Sequence, residues 1–272
     1  MYRQSIYFLV LILLLPSCGT TQNKSVVPND TPQMNIVEKI DQVEVDNLQN
    51  IYILTIDNRI LRYDAELNKK FEYNDGSIGD IVSIDATNPQ KILCFIADFN
   101  RILILDNTLA EIKMLDLSTT EFLDVTAVAR SNDNRIWMFD PITQVLVKID
   151  NLGNAQFTSN RLSDYNLGTV NPTIIREKEN KVVMVDEDLG ILVFDNFGQF
   201  LKMIPEKDVD YIQIFGPYIF YSQYGSFYQY HTKRFEKEPI SLDGEGFIKF
   251  KMTKEFVYLY GESGLIRKKT VN

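Results

Sequence analysis

A motif of two apolar strands joined by a polar turn recurs six times along the chain. Its clearest copies span Ile51–Asp64 and Ile92–Asp106, and in both the second strand ends in an aspartate. The copies begin at residues 51, 92, 136, 182, 219 and 257, and the last two are degenerate. A period of about 40 residues is typical of β-propellers, in which each repeat forms one blade. The repeat therefore predicts an all-β chain folded as a six-bladed β-propeller.

Each repeat also contains the two further strands that a four-stranded blade needs. A short apolar segment precedes the paired strands, as in Val43–Val45, and another strand follows them, as in Phe200–Ile204. Asn, Asp, Gly and Ser residues separate these segments, which is typical of short antiparallel strands. No segment after residue 35 keeps a helical apolar period for three turns. We therefore expect four antiparallel strands per blade and little helix.

The last repeat has no room for a full outer strand, because the chain ends at Asn272 soon after Arg267. The spare apolar segment is at the other end of the chain, at Met34–Ile40. We expect this N-terminal strand to pair with the last blade, because closing the ring removes exposed sheet edges. The propeller domain is predicted to span residues 35–272.

The phrase from Asn50 to Asp64, with Asn58 and Arg59 before its second strand, resembles the repeat of the six-bladed, NHL-like propellers. The resemblance covers residues 40 to about 200 well and the last two repeats poorly. It implies an architecture and no particular activity, because this fold hosts binding modules, lactonase-like enzymes and scaffolds.

Residues 1–17 are predicted to be a lipoprotein signal peptide. Arg3 precedes the apolar run Ile6–Leu15, which is about 15 Å long as a helix, half of a membrane core. Leu15–Gly19 resembles the bacterial lipobox, whose cysteine is lipidated and becomes the new N-terminus, although Pro16 departs from the usual residue type. The alternative is an ordinary signal peptide cleaved near Ser17, which would leave Cys18 as a free thiol.

Cys18 is accordingly the expected site of lipidation, with palmitate-type acyl chains as a durable membrane anchor. Residues 18–34 are polar and predict a flexible tether of about 22 Å. By resemblance to other lipoproteins, Gly19 lacks the aspartate that retains them at the inner membrane, so we expect the outer membrane. No acidic cluster follows Cys18, which favours the periplasmic side. This layout is similar to that of the periplasmic propeller lipoproteins of outer-membrane assembly machineries.

The composition excludes several classes of function. The 272 residues include 28 basic and 37 acidic side chains, a net charge of -9 that argues against nucleic acid as a partner. The one histidine, His231, has no cysteine beside it, so neither a catalytic triad nor an ordinary transition-metal site can be proposed. Cys94 is in an apolar strand and is expected to be a buried, inert thiol. We expect a monomer without a cofactor.

Calcium is the one metal that the sequence leaves open, because lactonase-like propellers hold it in the central channel through oxygen ligands. Acidic and amide residues recur at turns, at Asp57, Asn58, Asp98, Asn100, Asp140, Asp186 and Asp188. Their recurrence in successive repeats favours turn capping over metal binding. A channel site would instead need side chains near the ends of the inner strands, for which the candidates are Glu44, Asp85, Asp124, Asn171 and Asp210.

The fifth repeat is rich in aromatic residues between residues 211 and 230. Aromatic side chains are enriched at protein-recognition sites, so this repeat is a candidate partner surface. The candidate residues are Tyr218, Tyr221, Tyr224, Tyr228 and Tyr230, and Tyr224 in a turn is expected to be the most exposed. The alternative is that these rings pack between blades, because strands favour aromatic residues.

Two functions therefore remain open from the sequence. The first is a non-catalytic, lipid-anchored envelope propeller that binds an unidentified envelope protein as an interaction or assembly module. The second is a calcium-dependent, lactonase-like or hydrolase-like enzyme with its site in the channel. The first is favoured by the lipobox, the acidic charge and the aromatic fifth repeat.

Overall fold

The computed structural model describes residues 34–242 and 246–270, which form six antiparallel sheets of four strands each. The innermost strands of the six sheets contact one another around a closed ring. The only helical elements in these ranges are three short 3-10 turns, Ala97–Phe99, Leu117–Thr119 and Leu162–Tyr165, and none could cross a membrane. The predicted six-bladed propeller is therefore confirmed. The predicted signal peptide, Cys18 and the tether up to residue 33 lie outside the described ranges.

The first described strand, β1 (Met34–Ile36), belongs to the last blade. The other strands follow in order from the inside of each blade outwards. Blade 1 contains β2 (Ile40–Val45), β3 (Ile51–Thr55), β4 (Ile60–Tyr63) and β5 (Lys69–Tyr73). Blade 2 contains β6 (Ser83–Asp85), β7 (Ile92–Ile96), β8 (Arg101–Leu105) and β9 (Glu111–Asp116). Blade 3 contains β10 (Val128–Arg130), β11 (Ile136–Asp140), β12 (Val145–Ile149) and β13 (Ala155–Thr158).

The remaining blades follow the same plan. Blade 4 contains β14 (Ile174–Lys178), β15 (Lys181–Asp186), β16 (Gly190–Asp195) and β17 (Phe200–Ile204). Blade 5 contains β18 (Val209–Phe215), β19 (Tyr218–Gln223), β20 (Ser226–His231) and β21 (Glu236–Ile240). Blade 6 contains β22 (Lys249–Met252), β23 (Phe256–Gly261) and β24 (Gly264–Lys269), with β1 as its outer strand.

The N-terminal strand closes the ring as predicted. β1 pairs antiparallel with β24, and Ile36 lies opposite Leu265. The predicted closing strand at 34–40 is too long, however, because pairing stops at Ile36 and Ile40 already begins β2. The chain must cross from the outer edge of blade 6 to the inner position of blade 1, which a continuous strand cannot do. Residues 37–39 make this crossing, and Val37 is exposed there.

The hydrophobic core lies between neighbouring blades. Successive side chains of a strand point to opposite faces, so each blade contributes to two clusters. In β19, Tyr221 packs towards blade 4 with Ile191, whereas its neighbour Phe220 packs with Phe250 of blade 6. The second strands are buried along their whole length in blades 1 to 3, and in blades 4 to 6 only end residues are half-buried. This burial on both faces explains why the repeats read as continuous apolar runs.

Candidate functional site in the channel and on one face

The inner strands surround a central channel that contains two cavities, one towards each end. We call the level at which the two cavities meet the waist. One cavity, of about 390 Å³, opens where the inner strands end and includes Val45 and Thr253 in its lining. The other, of about 410 Å³, opens where the inner strands begin and includes Asp41 and Thr173. Arg176 of β14 lines both cavities, so its side chain lies at the waist.

A cluster of three charged side chains occupies the waist. The Glu44 carboxylate of β2 accepts a hydrogen bond from Lys251 Nζ of β22. Its other oxygen lies 3.7 Å from Arg176 Nη2 and accepts a hydrogen bond of 3.1 Å from the Gln42 amide. All three charged side chains are largely buried, with exposed fractions between 8% and 17%. Two cations therefore share one carboxylate in a site with little access to water.

Two buried tyrosines lie against this waist. Tyr260 of β23 lines the cavity where the inner strands begin, and its hydroxyl hydrogen has no acceptor among the described residues. Tyr211 of β18 donates to Gln213 Oε1 at 3.2 Å. Burial raises the pKa of both tyrosines well above the ordinary value, so both hydroxyls keep their hydrogens.

The five side chains predicted as candidate calcium ligands are spread over the channel. Glu44 and Asp85 line one cavity, Asn171 and Asp210 line the other, and Asp124 lines neither. The Asp85 carboxylate accepts backbone N–H groups of Thr87 and Arg130, both at 2.9 Å. In residues 34–242 and 246–270, no three His, Cys, Asp or Glu side chains come together in a way that could hold a metal ion.

The sequence reasoning missed the cations of the channel, which are Arg176, Lys249 and Lys251. A signal was available in β22, where Lys249 and Lys251 alternate with the buried residues Phe250 and Met252. Alternate residues of a strand share a face, and the inner strand of a propeller blade has only the channel in which to place charge. Lys249 Nζ lies 2.9 Å from the carboxylate of Asp41 in the neighbouring blade 1.

Asn58 and Asn100, two of the recurrent turn residues, connect neighbouring blades. Both have a left-handed backbone, with φ of 64° and 49°. The Asn58 amide donates to the carbonyl of Gly79 at 2.9 Å and accepts the N–H of Ile81 at 2.8 Å. Asn100 and Gln144 make the same pair of bonds to the connections that follow blades 2 and 3. We call these three side chains the amide clamps.

The recurrent turn aspartates cap backbone groups, form an ion pair or face solvent. Asp140 and Asp186 accept N–H groups two residues further on, Asp57 pairs with Arg59, and Asp98 and Asp188 are exposed. None of these five lines either channel cavity.

The surroundings of His231 and Cys94 are those of residues with a structural role. His231 ends β20, and its Nδ1 accepts backbone N–H groups of Lys233 and Arg234 at 3.2 and 3.1 Å. Cys94 is fully buried in β7, and burial raises the pKa of its thiol. The thiol is therefore neutral and out of contact with solvent.

The structure distributes the five candidate tyrosines of blade 5 over three environments. Tyr221, Tyr228 and Tyr230 pack towards blade 4, Tyr218 packs on the side of blade 6, and Tyr224 lies in the turn between β19 and β20. The rings of Tyr221 and Tyr228 are stacked at 5.4 Å, and Lys237 Nζ lies 4.1 Å from the Tyr228 ring. Tyr224 is 77% exposed, and its hydroxyl donates to Asp208.

One face of the ring is built from the connections between blades and from the turns that join the second to the third strand of each blade. These segments meet at one end because the strands are antiparallel, and we call this end the connection face. Its acidic residues among the described ranges are Glu38, Asp57, Asp75, Asp80, Asp98, Glu121, Asp124, Asp164, Glu187, Asp188, Glu206, Asp208 and Glu262. Its basic residues there are Lys39, Arg59, Arg161 and Lys207.

The opposite face, formed by the remaining turns, is much closer to neutral. Its acidic residues are Asp46, Asp64, Glu66, Asp106, Asp133, Asp150, Glu179 and Glu255, and its basic residues are Lys91, Arg135, Lys233, Arg234 and Lys254. The acidity of the chain is therefore concentrated on the connection face. Five exposed acids around blades 2 and 3 have no ion pair with any described residue: Asp80, Asp98, Glu121, Asp124 and Asp164.

Exposed apolar side chains lie among these unpaired acids. On the connection face of blades 2 and 3, Phe99, Leu123 and Ile142 are 50%, 59% and 65% exposed. Asn100, next to Phe99, is bonded to the connection that carries Leu123. That connection in turn lines an open groove of about 660 Å³ with Thr143 and Asp164. The three apolar side chains, the groove and the five acids thus all belong to the region around blades 2 and 3, and together we call them the blade 2–3 surface.

Comparisons with known proteins identify the fold and no family. No family model and no curated protein sequence matches the chain. The chain is similar in structure to virginiamycin B lyase from Staphylococcus aureus, with 14% identity and a TM-score of 0.61 over 86% of this chain and 80% of that one. It is also similar to the WD40 domain of Pan2 from Neurospora crassa, with 8% identity and a TM-score of 0.57 over 86% of this chain and 90% of that one.

A chain of a mitotic checkpoint complex is a further structural neighbour, with 12% identity and a TM-score of 0.58 over 98% of this chain and 99% of that one. These neighbours include an enzyme and a member of a protein assembly. At identities this low, structural similarity establishes the β-propeller fold and leaves the activity to be argued from the surface and the channel.

Proposed function

We propose that the chain is a non-catalytic, lipid-anchored propeller of the bacterial envelope that binds another protein through its connection face. The observation that carries the proposal is the blade 2–3 surface, which combines the exposed side chains of Phe99, Leu123 and Ile142 with an open groove in the same region. Exposed apolar side chains grouped on one face and surrounded by polar residues are typical of protein interaction sites.

The charge of the same surface indicates the kind of partner. Unpaired carboxylates attract Lys and Arg side chains and repel acidic surfaces, which gives specificity and speeds association. We therefore propose that the partner presents basic residues beside apolar ones. The exposed Tyr224, on the same face in blade 5, would extend the contact, whereas Tyr221 is buried in the blade core.

An anchor at Cys18 would reach the domain through β1, where the described residues begin. In β1, Ile36 lies nearer to the connection face and Met34 further from it, because β24 starts at that face and runs antiparallel to β1. A tether from Cys18 would therefore join the domain away from the connection face. The acidic face would point away from the membrane and towards a partner.

Cross-linking in intact cells tests the partner proposal. A photoreactive residue is placed at Leu123 or Ile142, the adduct is purified by affinity, and the attached protein is identified by mass spectrometry. The matched control is the same probe at Leu152 or Phe197, which are 70% and 72% exposed on the opposite face. We expect one envelope protein to be attached from the first two positions and not from the second two.

The lipid anchor and the acidic surface are tested by separate variants. Cys18→Ala should move the protein from the membrane to the soluble fraction and reduce recovery of the partner. The pair Asp98→Asn and Asp124→Asn should weaken the complex, and the pair Glu66→Gln and Glu255→Gln on the opposite face should not. Equal cross-linking from both faces, or none from either, would contradict the proposal. A rise in melting temperature with calcium alone would instead support the channel enzyme.

A further inference from the structure

Three exposed apolar side chains lie on the face opposite the connection face. They belong to the turns that join the third to the fourth strand of a blade, at the outer rim of the ring, and we call these turns the outer turns. The side chains are Leu152, Phe197 and Phe235, and their exposed fractions are 70%, 72% and 66%. Because blades 3, 4 and 5 carry one each, the three side chains follow one another along one arc of the rim.

The outer turns of blades 3 and 4 do not use these side chains for packing. In blades 1 and 2 the third residue after the turn aspartate is a leucine with positive φ, and it packs onto the core as the half-buried Leu67 and the buried Leu109. In blades 3 and 4 the same position is Gly153 or Gly198, and the apolar residue stands one place earlier. A Cβ atom added at Gly198 would lie 2.5 Å from an aromatic ring of blade 3. These turns therefore pack through the glycine and leave the apolar side chain in solvent.

The backbone of the outer turn holds the apolar side chain of blade 4 in place. The carboxylate of Asp195 accepts the N–H of Phe197 at 2.9 Å and that of Gln199 at 2.8 Å. The turn of blade 3 has the same two bonds, from Leu152 and Asn154 to its own aspartate. A side chain on a fixed turn loses little freedom when it enters a contact, which favours binding.

Cations accompany the apolar side chain of blade 5. Lys233 and Arg234 directly precede Phe235, are exposed, and form no ion pair with any described residue. Lys202 of blade 4 donates to the carbonyl of Thr232 at 3.2 Å, and its Nζ lies 4.1 Å from the Phe235 ring. Aromatic side chains beside Lys and Arg are typical of surfaces that lie in the interface of a membrane.

The chain enters the propeller at the same rim. In blade 6 the fourth strand is β1, so no turn joins it to β24, and Met34 stands where the other blades have an outer turn. Blade 6 is next to blade 5 in the ring. A tether of about 22 Å between Cys18 and β1 would therefore keep the outer turns of the neighbouring blades close to the bilayer.

We propose that the outer turns of blades 3, 4 and 5 lie on the membrane surface. Leu152, Phe197 and Phe235 enter the headgroup region, and Lys233 and Arg234 meet anionic headgroups. This inference rests on the lipid anchor of the proposed function and adds a second, non-covalent contact to it. The tether gives the turns a high effective concentration at the lipid, so a weak contact is enough to orient the domain. The connection face then points away from the membrane.

Fluorescence quenching tests the contact. The full chain is purified from membranes and reconstituted in vesicles of phosphatidylethanolamine and phosphatidylglycerol with brominated acyl chains, which quench indoles that reach the lipid. The reporters are Phe197→Trp and Phe235→Trp, and the control is Tyr224→Trp, since Tyr224 is 77% exposed on the connection face. Trp137 is fully buried and gives the same background in every variant. We expect quenching of the added indole in both reporters and none in the control.

Removing the other apolar side chains should weaken the contact. In the Phe197→Trp reporter, the pair Leu152→Asn and Phe235→Asn should lower the ratio of docked to undocked protein by roughly tenfold or more, because two apolar side chains no longer enter the interface. The matched pair Phe99→Asn and Ile142→Asn, on the connection face, should leave the quenching unchanged.

Removing the cations tests the charge of the lipid. Lys233→Gln with Arg234→Gln should lower the same ratio by roughly tenfold in vesicles with phosphatidylglycerol, and by much less in vesicles of phosphatidylethanolamine and phosphatidylcholine. The control pair, Arg161→Gln and Lys207→Gln on the connection face, should have no effect. Equal losses from the two pairs would contradict the role given to Lys233 and Arg234.

Flotation of the protein with the vesicles reports on the anchor, and quenching reports on the contact, so the two proposals fail separately. Protein that does not float would refute the anchor and this orientation with it. Flotation with equal quenching in Phe197→Trp and Tyr224→Trp, or with none in either, would overturn the contact alone. So would capture of an envelope protein by a photoreactive residue at Phe197, because the rim would then be a protein interface. Circular dichroism establishes that each variant is folded.

Discussion

Gly264 offers a direct test of how much the N-terminal strand contributes to stability. Its φ is +108°, and a Cβ atom added there would lie 2.0 Å from the carbonyl oxygen of Ile36. Ile36 is in β1, so Gly264→Ala must push the closing strand away from β24. Gly216→Ala is the matched control, because its φ is also positive, at +58°, and nothing lies within 4 Å of the added atom.

Both variants place an alanine at a positive φ, and only Gly264→Ala must also displace β1. An alanine forced to positive φ costs about 1–2 kcal/mol in either position. Displacing β1 also exposes Ile36, which is only 8% exposed, at an added cost of about 1.5–3 kcal/mol. The hydrogen bonds lost by three residues are roughly offset by the backbone entropy that they regain. We expect destabilisation of about 2.5–5 kcal/mol for Gly264→Ala and about 1–2 kcal/mol for Gly216→Ala.

Urea denaturation measures both free energies of unfolding. Trp137, the only tryptophan, is fully buried in blade 3 and reports on unfolding far from the altered turn. Hydrogen exchange of residues 34–36 shows separately whether β1 has detached. If the two variants differ by less than about 0.5 kcal/mol while β1 stays protected, the reasoning about ring closure is refuted.

Three further predictions concern the clamps, the buried thiol and acid stability. Asn100→Ala should cost about 2–3 kcal/mol in urea denaturation, because it leaves two buried backbone groups unpaired. Asn166→Ala, at an exposed left-handed position without such bonds, should cost under about 1 kcal/mol. In a Cys18→Ala background, Cys94 should react with a thiol reagent only after denaturant is added, and reaction in the native state would contradict its burial. A neighbouring lysine lowers the pKa of Asp64 to about 2, so its stabilisation is present above pH 4 and is lost as the pH falls towards 2. Asp64→Asn should therefore lose less stability in acid, measured as the urea midpoint against pH.

The architecture could be predicted because a propeller repeats one unit. The second strand of every blade begins within one residue of the repeat boundary found in the sequence, as at Ile51, Ile92 and Ile136. These strands are covered on both faces, so their apolar runs are long and easily recognised. The closing strand was predicted from the missing outer strand alone. Its exact length was not, because the crossing at 37–39 depends on the geometry of the ring and leaves no pattern in so short a segment.

The amide clamps show why the meaning of a turn residue is hard to derive from sequence. Asn58 and Asn100 have the residue type and position of either a turn former or a calcium ligand. Their actual partners are backbone groups of the next connection, more than 20 residues away. Because a left-handed turn aims the side chain at that connection, a bidentate amide can hold two blades together. Gln144 does the same in blade 3 without being recognisable as a turn residue.

The partners of a charged side chain in the channel are equally hard to derive from the sequence. The sequence predicted that Glu44 faces the channel. It did not predict the partners of Glu44, because Arg176 and Lys251 are 132 and 207 residues further along the chain. An inward acid is a metal ligand only if the inward residues of the other blades are also acids or amides. Here Arg176 and Lys251 are bases, so the Glu44 carboxylate is already paired with cations. The ring brings together one alternate residue from each inner strand, and the chemistry of the channel is set by that combination and by no single strand.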